Sequence, residues 1–364
     1  MSNIGIREAI DRIVAASLSA PSGDNTQPVR FRVDRQARTI GLVLDPSRDP
    51  SPMNSGQRMA RIAAGAALEN LVRAAGALGL GVDFGPASAD ELALVRLIGE
   101  PFGPVGAGGG LAGRVTNRRA YDGRPIEPDA LGRLAEATSP LGGLTTHWIV
   151  DRGRIEALAG LIGRADAMMF GEPSMRRAFL AKVRFDEPAG AEVTEGLSLG
   201  SLEATAPERL ALQVMQRIPD RLFRLGGAAG IFAKKSAKLV RSASGLCLVV
   251  APDGAEATDV LVGRAMQRAW LALAAEGLAA QPMMSPAVLE NVADRGEPSL
   301  REALGPDKLA TLRSDLRALA PEIGARRPAW LMRFGHARPP TGRTGRLPVE
   351  AVMLGPGHPV ATAG

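Results

Sequence analysis

Two periodicities alternate along the chain and divide it into elements. Ile6, Ile10, Ile13, Val14 and Leu18 recur at helical spacing within residues 4–19, which predicts an amphipathic helix. Val29, Phe31 and Val33 then alternate with Arg30, Arg32 and Asp34, the pattern of a half-buried strand, with a hairpin partner over Thr39–Leu44. Residues 56–80 predict a long helix carrying Leu68, Leu71, Val72, Ala75 and Leu78 on one face, and its Ala and Gly content permits close approach of another helix. A strand is expected over 91–99, before a glycine-rich break at 103–113. The plan then recurs: a helix over 127–137, a strand over 144–150 and a helix over 153–170. Residues 171–243 are less regular and mix a helical pattern at 206–218 with Gly, Pro and basic residues, as a lid or an insertion would. A buried strand over Leu246–Ala251, helices over 258–280 and 298–319, and a last core strand over Trp330–Gly335 lead into a basic, Pro/Gly-rich tail at 337–348. The helix at 258–280 aligns without gaps on that at 56–80 at a constant offset of 198, pairing Gly65 with Gly263, Ala67 with Ala265, Ala74 with Ala272, Gly79 with Gly277 and Leu80 with Leu278. That suggests an internal repeat.

Between the first helix and the first strand lies Pro21-Ser-Gly-Asp-Asn-Thr-Gln-Pro28, a run of residues that stop a helix and set a special backbone path. It offers backbone N–H groups, the Asn25 amide and the Ser22 and Thr26 hydroxyls, a set suited to a polar, planar ligand. The net charge of +6 comes almost wholly from arginine, since the chain has only five lysines, and fits an anionic small molecule, nucleic acid or acidic lipid equally well, or simply an arginine-rich composition. Aromatic residues make up 4%, so no base-stacking surface for nucleic acid is expected. Cys247 is the only cysteine and sits in an apolar run, so it forms no intrachain disulfide and is expected to be buried and inert. His147, His336 and His358 match no metal-ligand spacing, and no metal is expected. No apolar run approaches the roughly 18 residues of a membrane span, and the charged first helix is no signal peptide. A cytoplasmic, soluble protein is the expectation. Gly108, Gly110 and Gly113 satisfy the dinucleotide fingerprint, but Pro101 and Pro104 separate them from the preceding strand and no apolar helix follows, so the run reads as a linker.

Taken together, the Ala20–Phe31 segment, the helix ends at Ala77–Leu80 and Glu276–Met283, the arginine run Arg114–Asp122 and the ending from Leu331 through Val352 resemble the FMN-dependent nitroreductase family. The nearest resemblance is to double-length members in which two diverged halves share one chain, some associated with molybdopterin biosynthesis and others with NAD(P)H nitroreductase activity. The resemblance implies an α+β fold with an antiparallel-rich sheet in each half and long helices forming an intrachain pseudo-dimer. Residues 1–113 would form the first half, and 114–364 the second, with the lid or insertion at about 171–243. It implies a flavin site divided between the halves, with Pro21, Ser22, Asn25 and Gln27 from one and Arg114, Arg118 and Arg119 from the other. Gly277 and Gln281 would approach the ring, and Arg343 and Arg346 would join the phosphate site. The implied activity is hydride transfer from NAD(P)H through FMN to a small organic acceptor, with no catalytic side chain required. The alternatives are a protein that holds flavin without turnover and an accessory protein of cofactor biosynthesis. A chain that contains both halves can act as a monomer.

Overall fold

The computed structural model describes residues 4–102, 111–188, 192–220, 223 and 229–357. Gly108, Gly110 and His358, singled out above, lie outside the described residues. In chain order the helices are α1 (Ile6–Leu18), α2 (Arg58–Ala77), α3 (Pro128–Ala137), α4 (Arg152–Gly171), α5 (Pro173–Lys182), α6 (Ala206–Arg217), α7 (Ala229–Arg241), α8 (Glu256–Ala275), α9 (Ser285–Arg295), α10 (Pro298–Leu304) and α11 (Pro306–Leu319). The strands are β1 (Val29–Asp34), β2 (Thr39–Leu44), β3 (Gly81–Gly85), β4 (Glu91–Ile98), β5 (Thr145–Ile149), β6 (Val183–Arg184), β7 (Leu197–Ser198), β8 (Gly245–Ala251), β9 (Ala279–Pro282), β10 (Arg327–Gly335) and β11 (Met353–Leu354).

The class is α+β, as expected. One sheet runs β11-β1-β2-β4-β3 and a second β5-β8-β10-β9, and in these two all neighbours pair antiparallel except β11, which lies parallel to β1; β6 and β7 form a separate parallel pair. Through that pairing the tail crosses back and puts Met353 opposite Phe31 at the edge of the first sheet. Every residue of β8 is buried, so that strand is covered on both faces.

The two long helices α2 and α8 cross at Gly65 and Gly263. A Cβ built on Gly65 would stand 1.9 Å from the Val260 carbonyl oxygen, and one on Gly263 would stand 1.9 Å from that of Ile62. Each contact becomes the other when 198 is added to or subtracted from its residue numbers. The same holds for the turns that end these helices: Gly79 (φ +75°) and Gly277 (φ +68°) both occupy the left-handed region that glycine tolerates. Leu80 N–H then donates to the Ala75 carbonyl and Leu278 N–H to that of Leu273. Around the crossing, the Glu69 carboxylate accepts from Arg268 (3.0 Å), and the Gln267 amide donates to Asn70 (2.7 Å). Asp259, 2% exposed, accepts from both Arg58 and Arg61, themselves almost wholly buried.

Several boundaries differ from the sequence expectations. The helix expected over 258–280 stops at Ala275, because Gly277 turns the chain, and Gln281 stands on the strand β9. The helix expected over 298–319 is two, broken at Gly305 (φ +86°) and Pro306. Within the irregular 171–243 stretch, α5 and α7 flank α6, and α7 packs along α4. No helix among the described residues is long and apolar enough to cross a membrane.

Candidate functional site

The Pro21–Pro28 loop follows α1 and carries three non-glycine residues in the left-handed region: Asp24 (φ 45°), Asn25 (φ 58°) and Gln27 (φ 51°). Such a path is costly and persists only where its surroundings fix it. The fixing groups are the loop's own amides. Asn25 donates through Nδ2 to the carbonyls of Thr194 (3.1 Å) and Gly345 (3.3 Å) and accepts at Oδ1 from Arg346 (3.0 Å). Gln27 donates through Nε2 to the Thr194 carbonyl (2.7 Å), accepts at Oε1 from Leu347 N–H (2.9 Å), and gives its own N–H to Ser22 Oγ (3.0 Å). The two side chains clasp the loop to the C-terminal tail and to the segment around Thr194. Arg346 completes the clasp by donating to the carbonyls of Leu18, Ser19 and Ala20 at the end of α1.

Beside the loop lie two neighbouring compartments. The polar one, about 200 Å³, is lined by Arg114, Arg118, Arg343 and Arg346 and, among the described residues, by the carboxyls of Asp24 and Glu192. The apolar one, about 390 Å³, is lined by Trp270, Trp330, several methionines and the phenylalanines 170, 179 and 232. Pro21, Ser22, Asp24, Thr116, Arg118 and Leu197 line both.

Arg114, Arg118 and Arg346 are held by carbonyl groups. Arg114 donates to the Ser19 carbonyl (2.9 Å), leaves its Nε without a hydrogen-bond partner, and lies over the Trp270 ring at 4.7 Å. Arg118 donates to the Ser201 carbonyl (2.8 Å). Burial and then the charges of Arg346 and Arg343 pull Arg114 down to about 9, and burial pulls Arg346 down to about 10. A negative charge brought beside Arg114 would offset the repulsion from these two neighbours. On the wall shared by both compartments, burial raises the Asp24 carboxyl. Asp49, 6% exposed, is pushed up to about 6 by burial and by Asp24 beside it.

Most of the residues expected at the site are brought together, with different duties from those expected. Pro21 and Ser22 line both compartments, Asn25, Arg114, Arg118, Arg343 and Arg346 line the polar one, and Gln281 lines the apolar one, its Oε1 accepting from Arg333 (2.8 Å). Three are not at the cavity walls. Gln27 is buried in the clasp. Gly277 serves the turn that ends α8. Arg119 turns away to Thr341 Oγ1 (2.6 Å) and the Glu203 carboxylate (3.5 Å). Asn25 is also corrected: with both ends of its amide engaged by protein groups, it is a fastening and not a free ligand group.

Sequence reasoning missed Trp330, Asp49, Asp166, Ser236 and Ser285, all of which line the apolar compartment. The indole N–H of Trp330 is buried without a hydrogen-bond partner. Two tryptophans on neighbouring core elements in a chain with only three gave a signal, but periodicity assigns such residues to the core.

No family model matches the chain. An uncharacterized protein, MT1398 of Mycobacterium tuberculosis, is 29% identical over 341 residues, which cover 90% of this chain and 46% of that protein. The chain therefore spans about half the length of this curated relative. Among solved structures, the chain is similar to a nitroreductase with bound FMN from Bacteroides fragilis (15% identity, 63% of this chain and 87% of that one, TM-score 0.32). It is similar also to the FMN-dependent nitroreductase NfnB from Mycobacterium smegmatis in complex with NADPH (18% identity, 70% and 92%, TM-score 0.34).

Proposed function

We propose that the chain is an FMN-dependent, nitroreductase-like oxidoreductase that uses NAD(P)H to reduce a small organic acceptor. The observation that carries this reading is the adjacency of an arginine-lined compartment and an apolar, tryptophan-lined one, which share Ser22, Asp24 and Arg118 in their linings. The ligand it fits has a compact anionic end and a broad, largely apolar, planar end. A flavin mononucleotide phosphate carries about −1.5 to −2 charges, as other phosphomonoesters do, and among the described residues Arg114, Arg118 and Arg346 line the polar compartment with guanidiniums that could meet it. The Pro21–Pro28 loop and the arginine run, which carry the sequence resemblance, supply the shared wall.

Arg114, Arg118, Arg343 and Arg346 would hold the phosphate, with Arg114 already aligned between Trp270 and the end of α1. The unpartnered Trp330 N–H would donate to a ring carbonyl, and Gln281, fixed by Arg333, would orient the ring edge. Methionine and phenylalanine side chains would keep water from the reacting face. The flavin, when bound, accepts hydride and passes it on, so the chain's residues need only bind, orient and exclude water.

The crossing of α2 and α8 supports the pseudo-dimer: its contacts exchange under the 198-residue offset, as they would in a symmetric pair. On this reading, residues 1–113 and 114–364 are two diverged halves and the chain is a monomer, with the cavity between the halves. Residues 171–243 act as the lid. Purified protein should carry or take up FMN and, without oxygen, lose its flavin absorbance on addition of NAD(P)H. A protein that takes up no FMN refutes the proposal.

The clasp between Asn25, Gln27 and Thr194 favours a second reading, a protein that holds flavin without turnover, because it ties the segment that covers the cavity to the flavin loop. A yellow protein that NAD(P)H does not bleach would establish that reading over the first.

A further inference from the structure

We propose that the end of the apolar compartment where Asp166, Ser236 and Ser285 meet is a subsite for a hydrophobic amine, with the Asp166 carboxylate as its counter-ion. The three residues come from α4, α7 and α9, so the cluster is assembled by tertiary packing alone. Ser236 Oγ donates to Asp166 Oδ2. Ser285, 3% exposed, brings a buried hydroxyl to the same carboxyl, and no other hydrogen-bond partner engages that hydroxyl. Among the described residues no Arg, Lys or His pairs with Asp166. Lys235, the nearest cation along α7, is taken by Glu208 at 2.8 Å.

A carboxyl in an apolar pocket without a counter-ion is costly, and burial raises Asp166 accordingly. A protonated amine reverses that cost. Its ammonium brings the missing charge and up to three donors, which the Asp166 carboxylate and the two serine oxygens can accept. Phe170 and Phe232, stacked with centroids 4.2 Å apart, line the same compartment. Met169, Met283, Met284 and Val288 would take the apolar body. A neutral ligand of the same shape would leave the charge unmatched.

The inference rests on the proposed function only in assigning the Trp270–Trp330 end to the flavin ring and this end to the acceptor. Phenylbutylamine and its neutral counterpart phenylbutanol would be titrated calorimetrically into the protein as purified and into the same protein saturated with FMN. At about pH 8 the amine is charged, and its ammonium favours the ionised form of the Asp166 carboxyl beside it. The expected result is that the amine binds at least about tenfold more tightly than the alcohol, a difference of 1.4 kcal/mol. Asp166→Asn should abolish the preference while alcohol binding and FMN retention persist, and Ser285→Ala should weaken the amine by a smaller factor, about threefold. Equal affinities, no binding of either compound, or a preference that survives in both variants would overturn the inference. If FMN fails to bind while the amine preference holds, the flavin reading falls and the amine subsite stands.

Discussion

Alanine at Gly65 or Gly263 tests the helix crossing on which the cavity is built. The new Cβ would lie 1.9 Å from a backbone carbonyl oxygen of the opposite helix and under 3 Å from the facing glycine Cα. A Cβ and an oxygen ordinarily approach no closer than about 3.2 Å, so α2 and α8 must part by more than 1 Å, and no flexible side chain can absorb the shift. Overpacking of this kind costs about 1–3 kcal/mol, and contact between two backbones belongs at the upper end. Alanine's helix preference returns about 1 kcal/mol, leaving a net loss of about 2 kcal/mol. Gly76, in α2, and Gly160, in α4, have nothing within 4 Å of an added Cβ, and alanine there should stabilise by up to about 1 kcal/mol. Denaturant unfolding of the four variants separates the packing effect from helix preference. Midpoints for Gly65→Ala and Gly263→Ala at or above that of the parent would refute the close crossing.

Three further outcomes follow from the same structure. Asp259→Ala leaves Arg58 and Arg61 buried without their carboxylate and should cost about 3–5 kcal/mol in denaturant unfolding, far more than an exposed ion pair. Asn25→Ala strips partners from the Thr194 and Gly345 carbonyls and from Arg346, and should cost about 1–3 kcal/mol while loosening FMN retention. Asp49 has a folded-state value of about 6, raised above its ordinary 3.8. Between those values the unfolded chain loses this proton first, so stability should be full below about pH 4 and decline as pH rises to about 6. Unfolding measured across that window should show a decline that Asp49→Asn flattens, with the variant more stable than the parent near neutrality by up to about 3 kcal/mol.

Much of the fold was legible because its core strands and long helices keep their periods cleanly. β1, β2, β4, β8 and the bodies of α2 and α8 fall where the alternation of apolar residues puts them. What was hidden depends on partners distant in sequence. β3 and β9 are short strands that follow a glycine turn, and their residues read equally well as the tail of a helix. The pairing of β11 with β1 joins residues more than 300 positions apart, and no local pattern announces it. At the site, the loop and the arginine run were recognisable as motifs, whereas their duties were not. Asn25 and Gln27 look like ligand groups in sequence because nothing there reveals Thr194 and Gly345, which occupy their hydrogen bonds. Arg118 and Arg119 are adjacent in sequence, and only packing decides that one lines the cavity while the other pairs with Glu203. Asp166, Ser236 and Ser285 belong to three separate helices, so neither spacing nor composition could join them.

The central claim, that the arginine compartment holds the phosphate of a flavin whose ring enters the apolar compartment, is tested most directly by comparing FMN with riboflavin. Quenching of flavin fluorescence gives both affinities for the parent chain and for Arg114→Met, which keeps the bulk beside Trp270 and removes the charge. The expected result is one FMN bound per chain and at least about a hundredfold weaker binding of riboflavin, a difference of about 2.7 kcal/mol. Arg114→Met should narrow that gap by weakening FMN alone. Equal binding of the two flavins by the parent, or a gap that Arg114→Met leaves unchanged, would contradict the account.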